Sequence, residues 1–449
     1  QVSGLRRPTL AAIDATGTAA YRVVATRHHL VAAGSGRPLP PLPRTAWIEI
    51  DLDVLADNVR LIQAMLPEGS RLDGVVKADA YGHGAVPIAR ALVAAGVKSL
   101  SVATYDEGLE LRQAGISAPI LVVYPIPPEL VGDALSHGLS ITVGDATLLA
   151  RTLAALSLLP RADGAVAASE TMAGAEELPI YVEVETGLGR GGFDPSDVPG
   201  AVAAIEGTPR ARVAGLWSHL QNAGDPGRSA SQVARFESAS RLLEEVGITL
   251  PVRHLAASGG VLAASVPSFD VVRVGIALYG IVPDGLTASE RNRDAAANLR
   301  PILSLRARPV RVASLPAGTG VSYGPSFVTE RDSRVATLPL GYADGYPRSL
   351  SNRALVLVRG KRVPVVGTVA MDAVMVDVTD VSGPPVTVDD EFTLIGNQGD
   401  ESIRATEVAQ WGNTISYEIF TAMSGRVPRV YYAAAEALEL RTLACEPDR

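Results

Sequence analysis

Cysteine is almost absent from this chain of 449 residues: Cys445 is the only one. A disulfide within the chain and a thiolate metal cluster are thereby excluded. A single thiol also agrees with a reducing compartment. Histidine is scarce too. There are six, and His254 is the last of them, so the C-terminal part offers no paired His and Cys ligands and no metal is expected. No run of lysine or arginine offers a nucleic-acid footprint, and the net charge is −8. No apolar stretch reaches the roughly 18 residues that a membrane span requires. The chain begins with Gln1, which reads as a fragment or a processed form. Residues 1–44 show no compact apolar run followed by a cleavage-type site, so no signal peptide is expected and the expected location is the cytoplasm.

What the chain does have is bulk. Hydrophobic residues make up 47% and charged residues 20%, enough for a large buried core. The length allows two or three domains. The stretch GSGRPLPPLPR (34–44) reads as a linker, so residues 1–44 are taken as an N-terminal extension. After it, short apolar runs alternate with helix-length patterns. Candidate strands lie at 74–77, 99–103, 119–124, 139–143, 180–185, 213–218, 253–257 and 271–275, with helices between them such as 105–114, 145–158 and 229–246. Eight such units predict parallel strands closed into a (β/α)8 TIM-type barrel over 45–294. The small, polar stretch 160–178 reads as a surface insertion. From about residue 300 the texture changes. Segments 302–314, 334–340, 354–366, 373–379 and 391–395 are rich in Val, Leu and Arg with Gly and Pro between them, and a helix pattern returns only at 404–422. This predicts a mainly β C-terminal domain over 295–449.

One segment, GVVKADAYGHGA (74–85), is the most informative. It reads as the end of a buried strand, a lysine, a loop with a tyrosine, and a helix from Ala85 to Ala95. A lysine there either snorkels to the surface or has a chemical task. The usual task is a Schiff base, because a desolvated amine is a nucleophile towards an aldehyde. In a barrel the reactive residues stand at the C-terminal ends of strands. Lys77, Arg190, His219, Ser258, Arg273 and Gly275 all fall at or just after such ends. His219 alone could equally be a satisfied core histidine, and the glycines of SGG (258–260) and GIA (275–277) could simply make tight turns. Alternatively, a hydroxyl and backbone amides in those two loops donate to a phosphate. A phosphate anchor together with a Schiff-base lysine is what pyridoxal 5′-phosphate requires.

The motifs VVKADAYGHGA, FDVVRVGIALYG (269–280), GVSYG (320–324), LGYADGYPR (340–348), MDAVMVD (371–377) and TISYEIFT (414–421) together resemble the bacterial alanine racemases, the fold-type III pyridoxal-phosphate enzymes. The resemblance runs from TAWIEIDLDVLADNV (45–59) to VPRVYY (427–432). It implies a racemase that interconverts L- and D-alanine and supplies D-alanine for peptidoglycan. Lys77 then matches the lysine that carries the cofactor. Tyr323 matches the catalytic tyrosine of the opposite face, which in the family comes from the partner subunit, so a homodimer with shared sites is implied. Tyr81, Ser258, Gly275, Ile276 and Tyr417 match the phosphate-binding positions. Arg273 matches the arginine facing the pyridine nitrogen, and His219 the histidine near the ring. Arg190 matches the substrate-side arginine, Met371 and Asp372 a pair entering from the other protomer, and Tyr342 the tyrosine at the substrate entrance. Lys77 and Tyr323 would serve as the two bases, with His219 and Arg273 as cations that lower the phenol's pKa.

The chain departs from the family pattern in several places. Glu183 stands where a carbamylated lysine is common, seven residues before Arg190, and is expected to pair with that arginine directly. Ala257, Val274 and Ala370 replace Asn, Pro and Cys or Ser, and SHLQNAG (218–224) replaces a Phe-Ala-x-Ala-Asp run. These changes leave serine, or a broad set of small amino acids, as the alternative substrate. A pyridoxal-phosphate decarboxylase on the same barrel, a metal-assisted aldolase and a non-enzymatic cofactor carrier are more remote.

Overall fold

The computed structural model describes residues 31–32, 37–160, 176–248 and 252–443. Most of the expected insertion at 160–178, most of the 1–44 extension, and Cys445 lie outside the described residues.

Eight parallel strands close into a barrel in the order 71–75, 99–102, 120–122, 139–143, 178–183, 211–217, 253–257 and 271–274, the last pairing back to the first. Their burial is nearly continuous, as parallel strands covered on both faces require. The intervening helices start where the sequence supplies caps. Asp145 accepts from the Leu148 amide ahead of Ala146–Ser157. Asp225 accepts from the Arg228 amide, with Pro226 in the first turn of Pro226–Glu245. Thr104 and Glu107 form a capping box on Tyr105–Gln113.

The second unit is mainly β. A large sheet runs in the order 361–364, 355–358, 392–398, 303–307, 46–51, 429–433 and 436–441, and strands 311–315, 333–338 and 374–377 form a smaller one. The pattern at 404–422 is two short helices, Ala405–Gly412 and Ser416–Thr421, because Asn413 adopts a left-handed conformation between them.

Two expectations are corrected. Strand Ala46–Asp51 falls inside the 45–294 segment that the sequence predicts as barrel. It pairs antiparallel with Leu303–Ala307 and parallel with Arg429–Ala433, so it is a central strand of the second unit. The end of the proline-rich stretch is not a free linker. Leu39 is buried against Trp47, Val430 and Tyr432, and Arg44 donates to the Asp344 carboxylate at 2.6 Å. Among the described residues no helix is long and apolar enough to cross a membrane.

Candidate active site

The C-terminal rim of the barrel opens into a cavity of about 380 Å³. Lys77, Tyr81, Arg190, His219, Ser258, Arg273, Gly275, Ile276 and Tyr417 all line it.

Lys77 follows the first barrel strand and begins a turn of unusual shape. Ala78, Asp79, Ala80 and Tyr81 all have φ between 52° and 55°. Four consecutive L-residues in the left-handed region cost roughly 1–2 kcal/mol each, so the turn persists only because its surroundings hold it. Glu107 accepts from the Ala78 amide at 2.6 Å. Arg429 donates to Gly82 O at 3.0 Å, Tyr431 Oη to His83 O at 2.9 Å, and Arg441 to Asp79 at 2.7 Å. The second unit thus clamps the turn that presents Lys77. The Lys77 ammonium is held below its usual pKa first by burial, then by Arg190 and Arg273, against an opposing pull from Glu107.

A second corner gathers donors. Ser258 Oγ lies 3.1 Å from the Gly275 amide and 3.4 Å from that of Ala277. A Cβ at Gly275 would overlap the Tyr81 hydroxyl, so glycine lets that phenol reach the backbone. Tyr417 stands beside Tyr81 with ring centroids 6.1 Å apart. Its helix is fixed by Asp284, which accepts from the Ser416 amide at 3.0 Å and the Ser416 hydroxyl at 2.9 Å.

Between these corners lie the charges. Arg273 is buried. Its Nη2 donates to Ser218 O at 2.6 Å, its guanidinium lies 4.7 Å from the Trp217 ring centre, and Nη1 has no partner. Burial lowers its pKa to about 10, with Asp73 and Glu183 opposing, so it stays charged at neutral pH. His219 is pushed down to about 3 by burial and then by Arg273, Arg190 and Lys77. It is therefore neutral, and the expectation that it acts as a cation is corrected. Arg190 Nη2 lies 3.3 Å from Glu183 Oε1, the direct pair expected from the sequence, and the Arg190 guanidinium sits 5.6 Å from the Tyr124 ring centre. Tyr124 and Trp217 line the cavity and were not singled out in the sequence. The only hint for Tyr124 was its place just after the third strand. Gln221, Asn222 and Ala223 form part of the same wall. Gln232 steadies this loop, accepting from the Gln221 amide at 2.9 Å and donating to His219 O at 3.1 Å.

Tyr323, Tyr342, Met371 and Asp372 do not line the cavity. They gather on one exposed patch of the second unit. Thr368 Oγ1 donates to Tyr323 O at 3.0 Å, the Tyr342 amide to Ala370 O at 3.0 Å, and the Ala343 amide to Met371 O at 3.1 Å. Tyr323 is 76% exposed and Met371 52%. Asp372 accepts from Arg426 at 2.6 Å.

Comparison with known proteins agrees with this geometry. Residues 50–283 match the model of the alanine racemase N-terminal domain, and 302–431 that of the C-terminal domain. The chain is 39% identical to an alanine racemase of Halothermothrix orenii, over 87% of this chain and 97% of that one. It is 41% identical to that of Symbiobacterium thermophilum, over 86% and 97%. The crystal structure of alanine racemase from Bacillus anthracis with bound L-Ala-P superposes with a TM-score of 0.79 at 34% identity, covering 90% of this chain and 99% of that one. The chain belongs to the alanine racemase family.

Proposed function

We propose that this protein is a pyridoxal-phosphate-dependent racemase that interconverts L- and D-alanine, working as a homodimer whose sites each draw on both protomers. The observation that carries the reading is one cavity lined by a depressed-pKa lysine, by Tyr81, Ser258, Gly275 and Tyr417 at one corner, and by a buried arginine with an unsatisfied Nη1.

These residues fit pyridoxal 5′-phosphate. Tyr81, Ser258, Tyr417 and the amides of Gly275 and Ile276 would hold the phosphate. Arg273 would offer its orphan donor to the pyridine nitrogen, which can only accept. Bound there, the cofactor withdraws electrons from the substrate's Cα–H bond and so makes that proton removable. Lys77 would supply the nucleophilic amine that holds the cofactor and a base on one face of the substrate, and its lowered pKa favours the neutral form that both tasks need. Inversion needs an acid on the other face. Tyr323 of a second copy fills that role, because in its own chain it lies outside the cavity on an exposed patch. Arg273 stays charged at neutral pH, so it would give a bound ring nitrogen a hydrogen bond rather than a proton. Arg190, steadied by Glu183, takes the substrate carboxylate. Supply of D-alanine to the cell wall and a cytoplasmic location belong to the same proposal and rest on the family resemblance.

The test is incubation of the purified protein and added cofactor with L-alanine, and separately L-serine, in heavy water, followed by chiral chromatography with mass detection. D-alanine carrying α-deuterium with little D-serine is expected. Preferred inversion of serine, or no inversion of either, would overturn the reading.

A further inference from the structure

Asp73 does not line the cavity, yet it is a carboxylate with 1% exposure inside a barrel. It is the third residue of the first strand, in register with Arg273 on one side and Ser99 on the other. Parallel neighbours in register project to the same face, so Asp73 and Arg273 share the barrel interior. Ser99 Oγ donates to Asp73 Oδ1 and Ser101 Oγ to Oδ2, each at 2.6 Å. Two hydroxyls each giving a proton suit an ionised carboxylate, which only accepts.

Arg273 presents the complementary problem. It is 4% exposed, and among the described residues it makes no direct ion pair. A buried cation without an opposing charge is strongly unfavourable. Of the carboxylates that act on it, Asp73 has the larger effect and Glu183 the smaller, while Arg190 opposes both. Glu183 is engaged by Arg190 at 3.3 Å. Burial pushes the Asp73 carboxyl up, while the Ser101 and Ser99 hydroxyls and the charge of Arg273, the one cation among the described residues that acts on it, pull it back towards the ionised form.

We propose that Asp73 is the fixed counter-charge of Arg273, a positioning residue that keeps the guanidinium charged and aimed into the cavity at the cofactor ring. The two serines lock both carboxylate oxygens and so fix where that charge sits. Without Asp73 the guanidinium is drawn towards Glu183, which loosens Arg190 as well. The inference rests on the proposed cofactor chemistry for its purpose, but the Asp73–Arg273 coupling is a property of the cofactor-free protein.

A double-mutant cycle tests it. Asp73→Asn, Arg273→Gln and the double variant are compared by thermal unfolding of the cofactor-free protein and by absorbance titration with pyridoxal 5′-phosphate. Asp73→Asn is expected to lower the melting temperature, to weaken cofactor binding about tenfold and to shift the absorption band of the bound cofactor. In the Arg273→Gln background the same change is expected to raise the melting temperature, since it then removes an uncompensated charge, and to alter binding less than about twofold. Equal effects in both backgrounds, or none in either, would overturn the proposal. If Asp73→Asn does not fold, Ser99→Ala runs the same cycle with smaller amplitude. A protein that shows the coupling but fails to racemise alanine would refute the proposed function and leave this inference standing. Racemisation without the coupling would do the reverse.

Discussion

At the scale of single residues, what matters is how each charge is compensated. Arg190 has one carboxylate, Glu183, at 3.3 Å, and an aromatic wall, Tyr124. Glu183→Gln keeps the shape and removes the charge. We expect it to raise KM for alanine about tenfold with a smaller change in kcat, since a loosened arginine weakens substrate binding before it affects proton transfer. Steady-state kinetics decides, and an unchanged KM would remove Glu183 from the substrate side. This pairing was legible only through the family resemblance, because Glu183 stands seven residues before Arg190 where a carbamylated lysine is common; Arg190 itself was legible from its place after a barrel strand. The rim residues Lys77, His219, Ser258 and Arg273 were legible for the same reason. Glu107 and Asp73 were not, because their roles come from partners on other strands and loops. The protonation of His219 could not be read either. Its histidine identity suggested a cation, whereas burial beside two arginines and a lysine makes it neutral.

At the scale of elements, the turn that carries Lys77 is decisive. Nothing in Ala-Asp-Ala-Tyr announces a left-handed turn, because no residue from Ala78 to Tyr81 is a glycine. The conformation is imposed from outside by Glu107, Arg429, Tyr431 and Arg441. Ala78 is exposed with φ 53°, so Ala78→Gly relieves strain and changes stability by less than about 1 kcal/mol. Ala78→Val adds a branched side chain there and should cost about 2 kcal/mol or more. Urea unfolding of the pair checks this, and equal stability would show that the turn is not strained. His83 braces the same turn: its Nδ1 lies 2.9 Å from both Ala80 O and Tyr81 O, and its ring stacks on Tyr279. Burial lowers its pKa from 6.5 to about 4. The unfolded chain therefore binds the proton first as pH falls. The stability this group contributes is full above about pH 6.5 and is lost progressively towards pH 4. Melting temperature should fall through that window, and His83→Gln should flatten the fall. A parent curve as flat as the variant's would contradict the assignment.

At the scale of the whole molecule, the barrel was legible because each strand is a short buried run followed by a helix with its own caps. Strand Ala46–Asp51 was not, because its partners lie far along the chain and its own residues do not say which sheet it joins. That strand ties the two units together, and its neighbours in the sheet, Arg429 and Tyr431, clamp the turn carrying Lys77. The exposed patch of Tyr323, Tyr342, Met371 and Asp372 is the other long-range feature, and we propose that it completes the partner's site. Mixed dimers test this most directly. Lys77→Ala and Tyr323→Phe should each abolish racemisation of alanine when alone. Unfolding and refolding the two together should restore about a quarter of the parent activity, because half of the dimers are hybrids and each hybrid keeps one intact site. Recovery of that order would establish a site built from Lys77 of one protomer and Tyr323 of the other. No recovery, with hybrid dimers shown to be present, would contradict the shared site and with it the proposed mechanism.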